Sequence, residues 1–181
     1  MEEQVLFAGF GGQGVLSMGQ FLTHAALGAG KHVSWVPSYG AEMRGGTANC
    51  LVTIADEEIS SPLTENPKMA VVLNRPSLDK FEPKLQANGT IVVNSNLVDR
   101  EAIRDDITML KLPVNDLASR FGNPRVANMI LLGAYLEKTK IVGVEEALNH
   151  FEAIFQGKKP EIINTNKKAF LAGVEYARQN W

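Results

Sequence analysis

Residues 5–15 read Val5-Leu6-Phe7-Ala8-Gly9-Phe10-Gly11-Gly12-Gln13-Gly14-Val15: an apolar run, a glycine-rich turn, then the start of a helical pattern. Glycines at 9, 11, 12 and 14 let the backbone turn sharply after a strand and approach a phosphate. The helix that follows presents unpaired N–H groups and the positive end of its dipole. The spacing Gly9-x-Gly11-x-x-Gly14 matches the dinucleotide fingerprint. It can also serve close packing of a strand on a helix, so the phosphate reading is favoured but the loop alone names no ligand. An NAD site also needs an acidic residue at the end of the second strand, roughly 20 residues on. Here that strand runs into Trp35-Val36-Pro37-Ser38-Tyr39, without a carboxylate. An ATP-binding P-loop needs a lysine after its last glycine, and Gly14 is followed by Val15-Leu16-Ser17. The pattern fits neither NAD nor ATP.

Outward from the loop, short β-rich runs alternate with helical ones. Strands are expected at Gln4–Ala8, His32–Val36 (closed by Pro37), Thr47–Ile54, Met69–Asn74, Thr90–Asn94 and Ile107–Leu112. Helices are expected at Val15–Ala29, with a C-cap at Gly28-Ala29-Gly30, and at Pro76–Leu85. From Asn123 the character changes, and Ala127–Thr139, Val144–Phe155 and Glu161–Gln179 read as helices, the last containing Gly173. The expectation is one α/β domain over residues 1–181: a three-layer α/β/α sandwich with a mostly parallel central sheet (about 4–122) and a C-terminal helical cover (about 123–181). Residues 37–46 and 55–68 are the long irregular stretches, where loops tend to carry function.

Bulk composition narrows the function classes. The 181 residues carry 18 basic and 20 acidic side chains and a formal charge of -2, which offers no global basic field for nucleic acid. No apolar run approaches the roughly 20 residues that span a bilayer. The acidic start Met1-Glu2-Glu3-Gln4 lacks the basic region of a secretory signal, so a cytoplasmic chain is expected. The one cysteine, Cys50, lies in a β-rich run and reads as a buried thiol. It cannot form an all-cysteine zinc or iron–sulfur site alone. His24, His32 and His150 fall in separate elements, and the acidic run 55–58 reads as a solvated turn. No metal or catalytic constellation emerges.

A second glycine-rich loop, Ser38-Tyr39-Gly40-Ala41-Glu42-Met43-Arg44-Gly45-Gly46-Thr47, follows the second strand as the first loop follows the first. Both are therefore expected at carboxyl ends of strands, where such sheets bind ligands. Arg44 supplies a five-donor fork suited to phosphate or carboxylate.

Taken together, GFGGQGV (9–15), SYGAEMRGGTANCLVTI (38–54) and NRPSLDKF (74–81) resemble the gamma subunit or gamma domain of 2-oxoacid:ferredoxin oxidoreductases, such as the 2-oxoglutarate and pyruvate/2-ketoisovalerate enzymes. The resemblance covers most of residues 4–110. It implies a non-catalytic subunit of a complex that oxidatively decarboxylates a 2-oxoacid, 2-oxoglutarate being the first choice, forms an acyl-CoA and passes electrons to ferredoxin. Thiamine diphosphate and iron–sulfur clusters would sit on partner subunits, in keeping with a single cysteine and no GDG…N segment here. Coenzyme A is the implied source of the phosphate, held by the backbone of Gly11, Gly12, Gln13 and Gly14 and by Tyr39, Arg44, Gly45 and Gly46. The chain alone would be inactive, and an apolar patch meant for partners could make it a homodimer when isolated. The Met129–Leu136 helix and the loop around Met43 are the expected places for that patch. The small subunit of indolepyruvate ferredoxin oxidoreductase is the neighbouring reading, and a stand-alone nucleotide-binding regulatory module is the reading from another class.

Overall fold

Val5, Phe7 and Ala8 are fully buried, so the strand they belong to has both faces covered, and the other elements are arranged around it. The computed structural model describes residues 2–38 and 47–181. In chain order the elements are β1 (Glu2–Phe10), α1 (Val15–Gly28), β2 (His32–Ser38), β3 (Thr47–Ala55), β4 (Met69–Val72), α2 (Arg75–Phe81), β5 (Thr90–Asn94), β6 (Thr108–Leu112), α3 (Val114–Ser119), α4 (Ala127–Thr139), α5 (Val144–Asn149), α6 (Phe151–Ile154) and α7 (Pro160–Asn180), with 3-10 turns at Glu82–Lys84 and Pro124–Val126.

The six strands lie in the order β2-β3-β1-β4-β5-β6. β1, β4, β5 and β6 pair in parallel, whereas β3 runs antiparallel to both β1 and β2. Five strands therefore point one way, and the sheet is mostly parallel with one reversed insertion. β2 extends through Pro37 to Ser38 rather than stopping before the proline. It is an edge strand, and there a missing N–H costs nothing when that side faces away from the ladder.

The two sheet faces are covered unequally. On one face, α1 places Val15, Met18, Phe21, Leu22, Ala25 and Ala26 at helical spacing against Val5, Phe7, Cys50, Val52 and Ile54, and α3 to α7 continue the same core. On the other, among the described residues, α2, its following turn and Val98 cover the sheet, with Leu78, Phe81, Leu85 and Val98 packed on Leu6, Ala70, Val72, Ile91 and Val93. Beyond α2, a groove of about 650 Å³ remains beside Leu6, Val36 and Leu51.

α4 is buried from Asn128 to Leu136. Apolar all round, it is a core helix rather than a partner-facing one, which corrects the expectation that Met129–Leu136 forms a docking patch. Tyr135 meets Phe7 edge-on at 5.8 Å on the sheet side, and α7 lies on the other side. The α4–α7 approach depends on two glycines. A Cβ at Gly173 would run into the Ile130 carbonyl, and one at Gly133 into that of Phe170. The expected helix 144–155 is broken at His150 into α5 and α6, which lets Phe151 turn inward onto Phe21 and Phe170, with ring centroids 4.7 and 5.5 Å apart. Of the acidic turn at 55–58, Asp56 pairs with Lys31, whose ammonium holds its carboxyl down at about 2.

Two outcomes follow. Gly173→Ala forces backbone apart at a tight crossing and should destabilise the chain by about 3 kcal/mol, measured by urea unfolding; an unchanged midpoint would show that the two helices separate freely. Glu3 is buried at the amino end of the sheet, and desolvation raises its carboxyl pKa, opposed by Lys68 at 3.9 Å. Folding thus favours the protonated form, whose contribution is complete below about pH 4.3, the ordinary glutamate value, and is lost as pH rises through the raised folded value. Glu3→Gln should therefore stabilise the chain at pH 7 and change little at pH 4. Equal effects at both pH values would contradict this.

Candidate functional site at the carboxyl edge of the sheet

α1 leaves β1 over one sheet face and α2 leaves β4 over the other. Neighbouring parallel strands whose helices depart to opposite sides open a crevice at their carboxyl ends, the usual ligand position in such sheets. The glycine loop forms its wall. Gln13 N–H donates to the Phe10 carbonyl at 3.1 Å, closing a turn. Gly12 has φ 92° with open space around it, and Gly14 has φ 77° against the Asn128 side chain. Gly9 serves packing instead, since a Cβ there would lie 2.7 Å from Gln13 Oε1 and 2.9 Å from Val15 Cγ2.

The sequence expectation had four amides, those of residues 11–14, available for a phosphate. The structure separates them. Gln13 spends its N–H on Phe10, while among the described residues the amides of Gly11, Gly12 and Gly14 have no acceptor. α1 begins with no side-chain cap and no acidic residue in its first turn. Its first N–H groups and its positive dipole end therefore remain available to an anion.

A cleft of about 520 Å³ adjoins the loop, lined by Gly12, Gln13, Asn94, Asn115, Ser119 and Arg125, with Leu73, Leu97 and Ala118 as apolar wall. Its polar groups are preset. Asn94 Nδ2 donates to Asn115 Oδ1 at 3.0 Å, and the Asn115 amide donates to Asn96 Oδ1 at 2.8 Å. Asn123 Oδ1 accepts from the Arg125 amide at 3.0 Å and so caps the turn that carries Arg125. The exposed Arg125 side chain has no ion pair among the described residues. The sequence reading missed Asn94, Asn115, Ser119 and Arg125. The available signal was Gly122-Asn123-Pro124-Arg125, a turn and helix start just after the last strand.

Tyr39, Arg44, Gly45 and Gly46, the other half of the expected site, lie outside the described residues. The strand ends that bracket them are at this edge, since Ser38 pairs with Asn49 and Thr47 with Phe10. The motif 74–81 has structural work. Asn74 caps α2, Arg75 pairs with Asp79 at 3.0 Å, and Arg100 bridges Asp79 at 2.6 Å and Glu82 at 2.7 Å. Burial works to raise the Glu82 carboxyl, but the amides of Arg104 and Ile103 and the Arg100 guanidinium hold it below its ordinary value.

Among the described residues no group of three or more His, Cys, Asp or Glu could hold a metal, and no helix is long and apolar enough to cross a membrane. Cys50 is fully buried, its Sγ 3.7 Å from the Val15 carbonyl, and burial pushes the thiol up to about 12. It is a packing residue, and a Cβ at Gly19 would press on it at 2.5 Å. The native chain should therefore leave a thiol reagent unreacted at pH 8 and take up one equivalent only when unfolded. Rapid native labelling would contradict this burial.

Comparison with known proteins adds to this geometry. The family model "Pyruvate ferredoxin/flavodoxin oxidoreductase" matches residues 4–176. The chain is 40% identical to the ketoisovalerate oxidoreductase subunit VorA of Methanothermobacter thermautotrophicus over 99% of its own length, but spans only 37% of that protein. It is 36% identical to the 2-oxoglutarate synthase subunit KorC of Methanothermobacter marburgensis, covering 97% of this chain and 96% of that one. The crystal structure of the gamma subunit of a keto/oxoacid ferredoxin oxidoreductase from Geobacter sulfurreducens superposes with a TM-score of 0.83 at 28% identity, over 98% of this chain and 99% of that one.

Proposed function

We propose, from the premise that this chain belongs to the pyruvate ferredoxin/flavodoxin oxidoreductase family, that it is the gamma subunit of a multi-subunit 2-oxoacid:ferredoxin oxidoreductase and holds a phosphate of coenzyme A at the glycine loop. The observation that carries the ligand reading is the uncapped N-terminus of α1 beside a preset polar cleft with an exposed arginine. Amides of Gly11, Gly12 and Gly14 and the first turn of α1 would face the phosphate oxygens. Arg125 would supply the charge, joined by Arg44 from the second loop. Coenzyme A serves such an enzyme as the acyl acceptor, and this chain's residues bind and orient it.

The chemistry itself belongs to partners. One buried thiol cannot bind a cluster, so thiamine diphosphate and iron–sulfur groups are assigned to other subunits of a cytoplasmic complex that reduces ferredoxin. For the substrate, near-full-length similarity to KorC favours 2-oxoglutarate. The similarity to VorA makes a branched-chain 2-oxoacid the competing outcome.

Anaerobic affinity purification from the native cell should recover a thiamine-binding chain and a cysteine-rich chain, with CoA-dependent oxidation of 2-oxoglutarate exceeding that of 2-ketoisovalerate. The reverse substrate order would correct the substrate alone. Recovery with a single large indolepyruvate-type chain would reassign the complex, and a stable nucleotide-binding monomer would overturn the proposal. In the complex, Arg125→Ala should raise KM for CoA about tenfold, the loss of one charge-assisted contact of about 1.4 kcal/mol, without altering KM for the 2-oxoacid. An unchanged KM for CoA would remove Arg125 from the site.

A further inference from the structure

Asn74 opens the motif 74–81, yet the function proposed above gives it no role, and it does not line the cleft. It is nevertheless 97% buried, being 3% exposed, and both ends of its carboxamide are engaged. Oδ1 accepts the Ser77 amide at 2.9 Å, capping α2. Nδ2 donates to Gln13 Oε1 at 3.0 Å. The same Gln13 oxygen accepts the Phe10 amide at 2.7 Å, so its two lone pairs are both used. With the Gln13 amide bonded back to the Phe10 carbonyl, residue 13 is fixed at backbone and side chain together. The arc left between these anchors is Gly11-Gly12, whose amides have no acceptor among the described residues.

We infer that Asn74 is a positioning residue for the glycine loop: acting through Gln13, it ties the start of α2 to the end of β1 and holds the Gly11–Gly12 amides toward the cleft. This rests on the reading that the cleft binds coenzyme A. The orientation is dictated by hydrogen-bond polarity. Gln13 must present its oxygen to Phe10 N–H, and a donor at position 74 adds the second bond that favours this orientation over the flipped one. Were the Gln13 carboxamide to flip, its NH2 would face the Phe10 N–H, and the loop would be left with the backbone bond from Gln13 to the Phe10 carbonyl as its tie to the strand end. The loop is thus preorganised by a residue that the ligand never touches.

Asn74→Asp separates this role from the capping role. Aspartate keeps an oxygen for the Ser77 amide and is as good a helix cap as asparagine, but it has no N–H for Gln13. In the assembled complex, Asn74→Asp should raise KM for CoA about tenfold, as expected for loss of one hydrogen bond, while kcat at saturating CoA, KM for the 2-oxoacid and assembly stay unchanged. Gln13→Met should give a similar rise. The double variant should be no worse than Gln13→Met, because the coupling partner is already gone.

Additive effects in the double variant, or an Asn74→Asp complex that loses kcat or assembly instead of CoA affinity, would overturn the inference. If Gln13→Met and Arg125→Ala raise KM for CoA and Asn74→Asp does not, the relay fails and the cleft assignment stands. If none of the three moves KM for CoA, the cleft assignment fails and the relay with it.

Discussion

The parallel pairing of β1 with β4, in register from Val5 and Met69 to Ala8 and Val72, is the contact from which the functional edge of this molecule follows. Each of the two strands is buried on both faces, and each feeds a helix to a different side. The crevice at their carboxyl ends is a consequence of chain connection and needs no special residue to create it. Glycines then shape its wall. Gly12 and Gly14 are needed for their left-handed backbone, and Gly9 and Gly14 for the side chains pressed against them. Gly12, by contrast, stands in open space and lines the cleft, so a run that reads uniformly as a phosphate loop divides its residues between packing and display.

The unequal covering of the sheet has a similar origin. One face carries a layered helical cover in which α4, apolar all round, lies between the sheet and α7 and depends on two glycines that let backbones touch. Among the described residues the other face has α2 with the segments that follow it, and a groove over β2 and β3. Stability is therefore concentrated on one side, while the cleft is framed by the loops that leave the carboxyl edge.

Much of this was legible in the sequence, and the rest failed for identifiable reasons. β5 and α4 match their expected limits, because a buried strand and a long apolar helix both leave strong patterns. The reversal of β3 was not legible, since alternation of side chains has no sense of direction. The extension of β2 through Pro37 follows from its edge position, a tertiary fact. α3 has only six residues and shows too little periodicity to register. In the site, the glycine loop was found, but sequence could not tell that Gln13 spends its amide internally. Arg125 escaped notice because a lone arginine in an Asn-Pro turn looks like surface until the fold brings residues 12 and 125 to one cleft.

The proposed hold on coenzyme A is by backbone amides at the start of α1. Amide hydrogen exchange of the anaerobically purified complex, with and without coenzyme A, reads those amides directly. Slowed exchange across residues 11–17 on addition of coenzyme A, with the buried centre of α4 unchanged, is the predicted result. Unchanged exchange at 11–17, with protection confined to a partner subunit, would contradict it.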